Sequence, residues 1–169
     1  GNSYCYYDCS DSAYTGGIIF CGQYCDATFE RCNFHHNRAY KAGVAYLKKM
    51  SAASFNLCAF TQNYARNDGG VIWMEAPGSA VISGSEFAYN MTQSNGGAIY
   101  LEDVRVSLNI STSLFVHNVA TKDGGGLYVG GYSSSNKGKL LLIEKSKFMY
   151  NIAGYKSTSS YQGHGGAIY

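Results

Sequence analysis

The stretch "FAYNMTQSNGGAIY" (residues 87–100) holds two phrases, Phe-x-x-Asn and Gly-Gly-Ala-Ile, and both recur along the chain. Phe-x-x-Asn returns as "FHHN" (34–37), "FTQN" (60–63), "FVHN" (115–118) and "FMYN" (148–151). The glycine phrase returns at Gly16-Gly17, as the variant Ala42-Gly43, and at Gly69-Gly70, Gly124-Gly125 and Gly165-Gly166. Successive glycine pairs lie 26, 27, 27, 28 and 41 residues apart, and a small residue, Ala39, Ala65, Thr92, Ala120 or Ala153, follows each Asn two positions on. Two markers keeping one period near 27 residues identify a repeat architecture.

The unit is built of strands. Gly, Ser, Tyr, Val, Ile and Asn dominate where a helical repeat would carry helix formers at three- and four-residue spacing. After the glycine pairs, Ile99 and Leu101 take one face and Ala98 and Tyr100 the other, a parity that "GVIWM" and "GGLYV" repeat. A second strand precedes each Phe, as in "ASFNLCAF" and "AVISGSEF". Two or three short strands per repeat, stacked at about 4.8 Å, make an all-β parallel β-helix in which each repeat position becomes a ladder along the axis. About six coils of about 27 residues are expected over 16–169, after a Cys/Tyr-rich N-terminal cap at 1–15.

The ladders can be named. Phe34, Phe60, Phe87, Phe115 and Phe148 stack inside, with Phe29, Phe55, Ile82, Ile110 and Ile143 beside them and Ile19, Ala45, Ile72, Ile99, Leu127 and Ile168 opposite. Asn37, Asn63, Asn90, Asn118 and Asn151 form an asparagine ladder at a corner, because a buried amide must be paired. The glycines take another corner, where a positive φ or a close backbone approach excludes a Cβ. Three residues after each pair stand Phe20, Tyr46, Trp73, Tyr100, Tyr128 and Tyr169, expected as an external aromatic ladder. Such a ladder either stacks on itself or serves as a contact strip for a protein, a glycan or a neighbouring subunit.

Phe-x-x-Asn alternating with Gly-Gly-Ala-Ile resembles the repeat of the polymorphic outer-membrane proteins of chlamydiae, also met in large surface proteins of protists. The resemblance covers residues 16–169. It implies a right-handed parallel β-helix displayed outside the cell, as in the passenger regions of autotransported adhesins. The chain departs from that pattern in carrying no transporter barrel and in having six cysteines.

Cysteine usage also indicates an oxidising, extracellular or cell-surface location. Cys32 and Cys58 occupy the same repeat position, two before the Phe, and are expected to pair across adjacent coils. Cys5, Cys9, Cys21 and Cys25 are expected to staple the cap, with their pairing open among three connectivities. The alternative, a zinc site of two C-x₃-C pairs, suits a reducing compartment better. Two sequons, Asn90-Met-Thr92 and Asn109-Ile-Ser111, suit secretion from a eukaryote; Asn109 points outward and is the better N-glycan acceptor, while Asn90 belongs to the inward ladder.

Net charge is +2 with no run of like charge, so nucleic acid is not an expected partner, and no apolar run reaches the length of a membrane span. The chain opens "GNSYCYYDCSDS" without a signal peptide, as a processed or truncated start would. No cofactor is expected. A polysaccharide-acting enzyme needs clustered acids, and the acids here are dispersed: Asp68 and Asp123 cap turns as Asn95 does, and Glu75 and Glu102 match as strand ends. "GHGG" (163–166) resembles the Gly-His-Gly phrase of polygalacturonases without its aspartate pairs, so His164 reads as a turn residue. His35, His36 and His117 supply no metal site, since His36 and His117 sit three coils apart, roughly 14 Å. Polar insertions at 130–139 and 155–164 read as loops. A coil left open at "GGAIY" exposes strand edges, which points to head-to-tail self-association in a filament or to the remainder of a longer ectodomain. The expected function is a non-enzymatic structural or adhesive β-helix, with a polysaccharide-acting enzyme or glycan-binding module as the alternative.

Overall fold

The computed structural model describes residues 17–49, 51–75, 78–103, 106–131, 141–155 and 163–169. It is an all-β parallel solenoid, with no helix among the described residues. Four parallel sheets run along its axis. The first stacks Ile19–Cys21, Ala45–Leu47, Ile72–Met74, Ile99–Leu101 and Leu127–Val129. The second stacks Asp26–Glu30, Ala52–Asn56, Ser79–Ser83, Ser107–Ser111 and Leu141–Glu144. The third, which carries the Phe ladder, stacks Asn33–His35, Ala59–Thr61, Glu86–Ala88, Leu114–Val116 and Lys147–Met149. Two-residue strands, Arg38–Ala39, Tyr64–Ala65, Met91–Thr92 and Val119–Ala120, make the fourth.

Register follows the sequence period position by position. Phe34 pairs with Phe60, Phe60 with Phe87, Phe87 with Phe115 and Phe115 with Phe148. Their rings stack at centroid distances of 5.0, 4.5, 4.5 and 4.4 Å. Phe29 stacks on Phe55, and Ile82, Ile110 and Ile143 continue that column, so the interior is one apolar stack from Cys21 to Phe148.

The coil count is lower than the six expected. Strands stack five deep in three sheets and four deep in the fourth, and a bridge from Leu127 to Ile168 opens the next layer. The six glycine pairs are boundaries, and six boundaries enclose only five intervals.

Both reasons for glycine apply, at different members of the pair. The first member turns the chain with positive φ, 71° at Gly69 and at Gly96, and Ala42 adopts 51° in the same place. The second member carries the steric demand: a Cβ on Gly43, Gly70, Gly97 or Gly125 would collide with the carbonyl oxygen of the next coil's equivalent glycine. The variant coil therefore substitutes alanine at the first position and keeps glycine at the second.

Two further corners, on either side of the Phe sheet, turn on residues that are mostly not glycine. Arg31, Leu57, Gly84, Thr112 and Lys145 form one left-handed column, and His36, Gln62, Tyr89, His117 and Tyr150 another, with φ between 47° and 57°. A left-handed non-glycine residue costs about 1 kcal/mol or more, and here the next residue in the chain compensates it. That residue points inward and hydrogen-bonds the amides freed by the bend.

Candidate functional site

The inward corner residues form two polar ladders. In the first, the backbone N and Nδ2 of each Asn donate to Oδ1 of the Asn one coil on: Asn37 to Asn63 at 3.1 and 2.8 Å, and Asn63 to Asn90 at 3.0 and 3.0 Å. The pattern continues from Asn90 to Asn118 and from Asn118 to Asn151. The same Nδ2 also donates back to a Phe carbonyl of the preceding coil, as from Asn90 to Phe60 at 3.0 Å. Asn63, Asn90 and Asn118 are fully buried with these bonds made, as buried amides require.

The second polar ladder escaped the sequence reading. It consists of Cys32, Cys58, Ser85, Ser113 and Ser146, each two residues before the ladder Phe. Cys58 N donates to Ser85 Oγ at 3.0 Å, Ser85 N to Ser113 Oγ at 3.1 Å and Ser113 N to Ser146 Oγ at 3.1 Å. Each hydroxyl donates in turn to the carbonyl two residues back, for example Ser113 to Ser111 at 2.8 Å. Its sequence signal is the shared position two before each Phe, where Cys32 and Cys58 stand in line with Ser85, Ser113 and Ser146.

This placement corrects the cysteine assignment. Cys32 and Cys58 are free, buried thiols rather than a disulfide. They occupy serine positions of the ladder, with Cys32 Sγ 3.4 Å from the Glu30 carbonyl and Cys58 Sγ 3.4 Å from that of Asn56. In an in-register parallel ladder the Cα–Cβ bonds run side by side, so Cβ atoms sit about 4.8 Å apart, outside the roughly 3.5–4.5 Å that a disulfide needs. Burial pushes the Cys58 thiol up from its ordinary pKa. A disulfide joins Cys21 to Cys25 instead. Cys5 and Cys9, and with them the cap at 1–15, lie outside the described residues.

A third ladder lines the glycine turns. Asp68 Oδ1 accepts from Asn95 N and Nδ2 at 2.9 and 3.0 Å, Asn95 Oδ1 from Asp123 N at 3.2 Å, and Asp123 Oδ1 from His164 N at 2.8 Å. The His164 ring also reaches Asp123, with Nδ1 at 3.2 Å. His164 is thus a rung of a turn ladder. His35 and His36 contact each other, and His117 is stacked between Tyr89 and Tyr150 at 5.0 and 5.1 Å. Among the described residues no three His, Cys, Asp or Glu side chains gather as a metal-binding group.

The aromatic column runs along the outer face of the first sheet, across the strands from the core. Successive centroids from Phe20 through Tyr46, Trp73, Tyr100 and Tyr128 to Tyr169 are 5.8, 5.7, 4.8, 5.0 and 5.3 Å apart. Its exposure is uneven, which amends the expectation of a wholly external strip. Phe20 and Tyr169 are 55% and 51% exposed and Tyr100 and Tyr128 half-buried, yet Tyr46 and Trp73 keep only 5% and 6%. Ala42 packs beside these two, and Lys41 lays its Nζ 3.8 Å from the Trp73 ring centre. The Tyr46 hydroxyl donates to Glu75, which lies in register beside Glu102 at the strand ends. Trp73 Nε1 is buried with no hydrogen-bond partner among the described residues. Burial raises the pKa of Tyr46, Tyr100 and Tyr128, and nearby acids add to it: Glu75 and Glu102 at Tyr46, Asp68 and Glu102 at Tyr100, Asp123 and Asp68 at Tyr128.

The two sequon asparagines differ. Asn90 is fully buried in its ladder, whereas Asn109 is half-buried on the outer side of its strand between Val81 and Leu142, with Oδ1 unpartnered among the described residues. No helix among the described residues is long and apolar enough to cross a membrane.

No curated protein and no solved structure matches the chain. The family model of the Chlamydia polymorphic membrane protein repeat matches residues 84–102, so the unit that carries Phe87, Asn90, Gly96-Gly97 and Ile99 is similar to that repeat.

Proposed function

We propose that this chain is a non-enzymatic adhesive or structural element of a surface-exposed protein, in which the solenoid is a stiff spacer and its aromatic column the contact strip. The observation that carries the reading is that column: six aromatic side chains at rung spacing on the outside of one sheet, exposed at both ends. Its open stretch, Tyr100, Tyr128 and Tyr169, forms an aromatic patch of the kind that marks interaction sites, while Tyr46 and Trp73 are covered. The repeat at 84–102, similar to that of a bacterial membrane-protein family, and the Cys21–Cys25 disulfide support a location outside the cell. The solenoid propagates end to end, either through further coils or through neighbouring copies, since each Asn rung takes its acceptor from the coil beyond it.

Binding of the purified chain to intact cells and to immobilised glycans, compared with Tyr128→Ser, tests the contact strip. Loss of binding in the variant is expected, and equal binding overturns the strip. Electron microscopy of the same material reads end-to-end association directly: filaments support it, and isolated particles at every concentration restrict stacking to coils within one chain.

A further inference from the structure

We propose that His35 and His36 form a two-histidine chelate for a divalent transition-metal ion of the nickel, copper and zinc class. The proposal stands on the geometry of one corner of the solenoid and is independent of the contact strip.

That corner sets the two rings together. His35 ends the strand Asn33–His35, exposed beside the buried Phe34. Along a continuing strand the next side chain would pass to the opposite face. His36 instead adopts a φ of 56°, and both histidines are exposed. The neighbouring coil pins the bend: His36 N donates to the Thr61 carbonyl at 3.1 Å, and Asn37 donates through its backbone N and Nδ2 to Asn63 Oδ1. The pair therefore sits on a fixed backbone, as a ligand site needs. The same two positions in later coils hold Thr61-Gln62, Ala88-Tyr89, Val116-His117 and Met149-Tyr150, so this corner alone carries two imidazoles.

The donor atoms stand at a chelating distance. Nδ1 of His35 and Nδ1 of His36 lie 3.1 Å apart, with the rings at 89°. Two nitrogens bound to one ion at about 2.0–2.1 Å span roughly 2.8 Å at a right angle and roughly 3.4 Å at the tetrahedral angle. The observed separation falls between these limits. In the neutral pair one proton joins the two nitrogens, since one ring donates Nδ1–H and the other accepts. An entering cation takes that proton's place. The donor ring moves its proton from Nδ1 to Nε2, both Nδ1 lone pairs go to the metal, and no proton leaves the pair.

The surroundings tolerate a cation. Arg31 is ion-paired with Glu30 at 2.8 Å, and Arg38 lies over the Tyr64 ring. Thr61 pairs with His35, and Gln62 follows His36 in the left-handed column, so two oxygen-bearing side chains stand one rung on, at about 4.8 Å. Imidazole selects nickel, copper and zinc over magnesium and calcium. His117 takes no part, being stacked between Tyr89 and Tyr150.

The chain has four histidines, so four variants assign the site. Isothermal titration of the whole untagged chain with nickel chloride is expected to show one ion per chain. His35→Gln and His36→Asn should each weaken it by at least about tenfold, because a linked pair of ligands gains what a lone imidazole lacks. Asn suits a left-handed corner, so His36→Asn removes the ligand and keeps the fold, which circular dichroism checks. His117→Asn and His164→Asn should leave the affinity unchanged. In proton NMR, substoichiometric nickel should broaden the ring signals of His35 and His36 before those of His117 and His164. Absence of binding, affinity indifferent to His36→Asn, equal losses in all four variants, or uniform broadening of the four rings overturns the proposal.

Discussion

A Cβ placed on Gly70 would sit inside the van der Waals radius of the Gly97 carbonyl oxygen, one coil further along the axis. The two backbones touch there, and every coil repeats the contact. Gly70→Ala is therefore expected to cost about 3 kcal/mol or more, or to prevent folding, because both sides of the clash are backbone. Ala42→Gly should stay within about 1 kcal/mol, since relief of the positive φ offsets the lost methyl. Urea unfolding of the two variants checks the contrast.

Asn90→Ala is expected to destabilise by about 2–4 kcal/mol. The substitution takes the acceptor from the Asn63 backbone N–H and Nδ2 and the Nδ2 donor from the Phe60 carbonyl in a fully buried place, while Asn118 Oδ1 keeps the bond from the backbone N of residue 90. Asn151→Ala, on the last rung and half-buried, should cost less than half as much. Equal losses would show that the ladder adds nothing beyond local packing.

Cys32→Ser with Cys58→Ser should leave stability within about 1 kcal/mol, because serine already fills the position at Ser85, Ser113 and Ser146. A disulfide at the pair would make the double variant lose about 3 kcal/mol. Thiol counting with Ellman's reagent gives the second check: the buried Cys58, its pKa raised, should react only on unfolding.

Stability should fall on the alkaline side. Tyr46, Tyr100 and Tyr128 have pKa values raised in the folded state, while an unfolded tyrosine titrates near 10. Below pH of about 10 both states hold the proton; above it the unfolded chain releases protons that the folded chain retains, so unfolding becomes easier. Tyr46→Phe should flatten that alkaline limb, and absorbance at 295 nm should show a phenolate step delayed until unfolding.

When the chain is expressed through a eukaryotic secretory pathway, a glycan is expected at Asn109 and none at Asn90. A glycan on Asn90 would replace one of the two Nδ2 hydrogens that bond the Phe60 carbonyl and Asn118 Oδ1, and would have to fit in a fully buried place. Peptide mapping before and after glycosidase treatment reads both sites.

Most of the fold was legible in the sequence because a solenoid converts chain period into spatial neighbourhood. Phe87 meets Phe60 and Phe115 by standing 27 and 28 residues from them, and no distant element intervenes. The strand parity, the core columns and the membership of the aromatic column follow from that translation alone. Tertiary structure decided what depends on lateral geometry within a coil. It set Cys32 and Cys58 side by side in the ladder as free thiols and gave them the serine role. It placed left-handed backbone at His36 and Leu57, where no glycine advertises a turn, and there the amides of Asn37 and Cys58 donate to Asn63 Oδ1 and Ser85 Oγ of the next coil. It buried Tyr46 and Trp73 beside Ala42, with Lys41 over the Trp73 ring, while leaving Phe20 and Tyr169 open. A period states which residues are neighbours; how far apart, how deep and under what cover depends on where each corner bends and which side chain folds back over its neighbour.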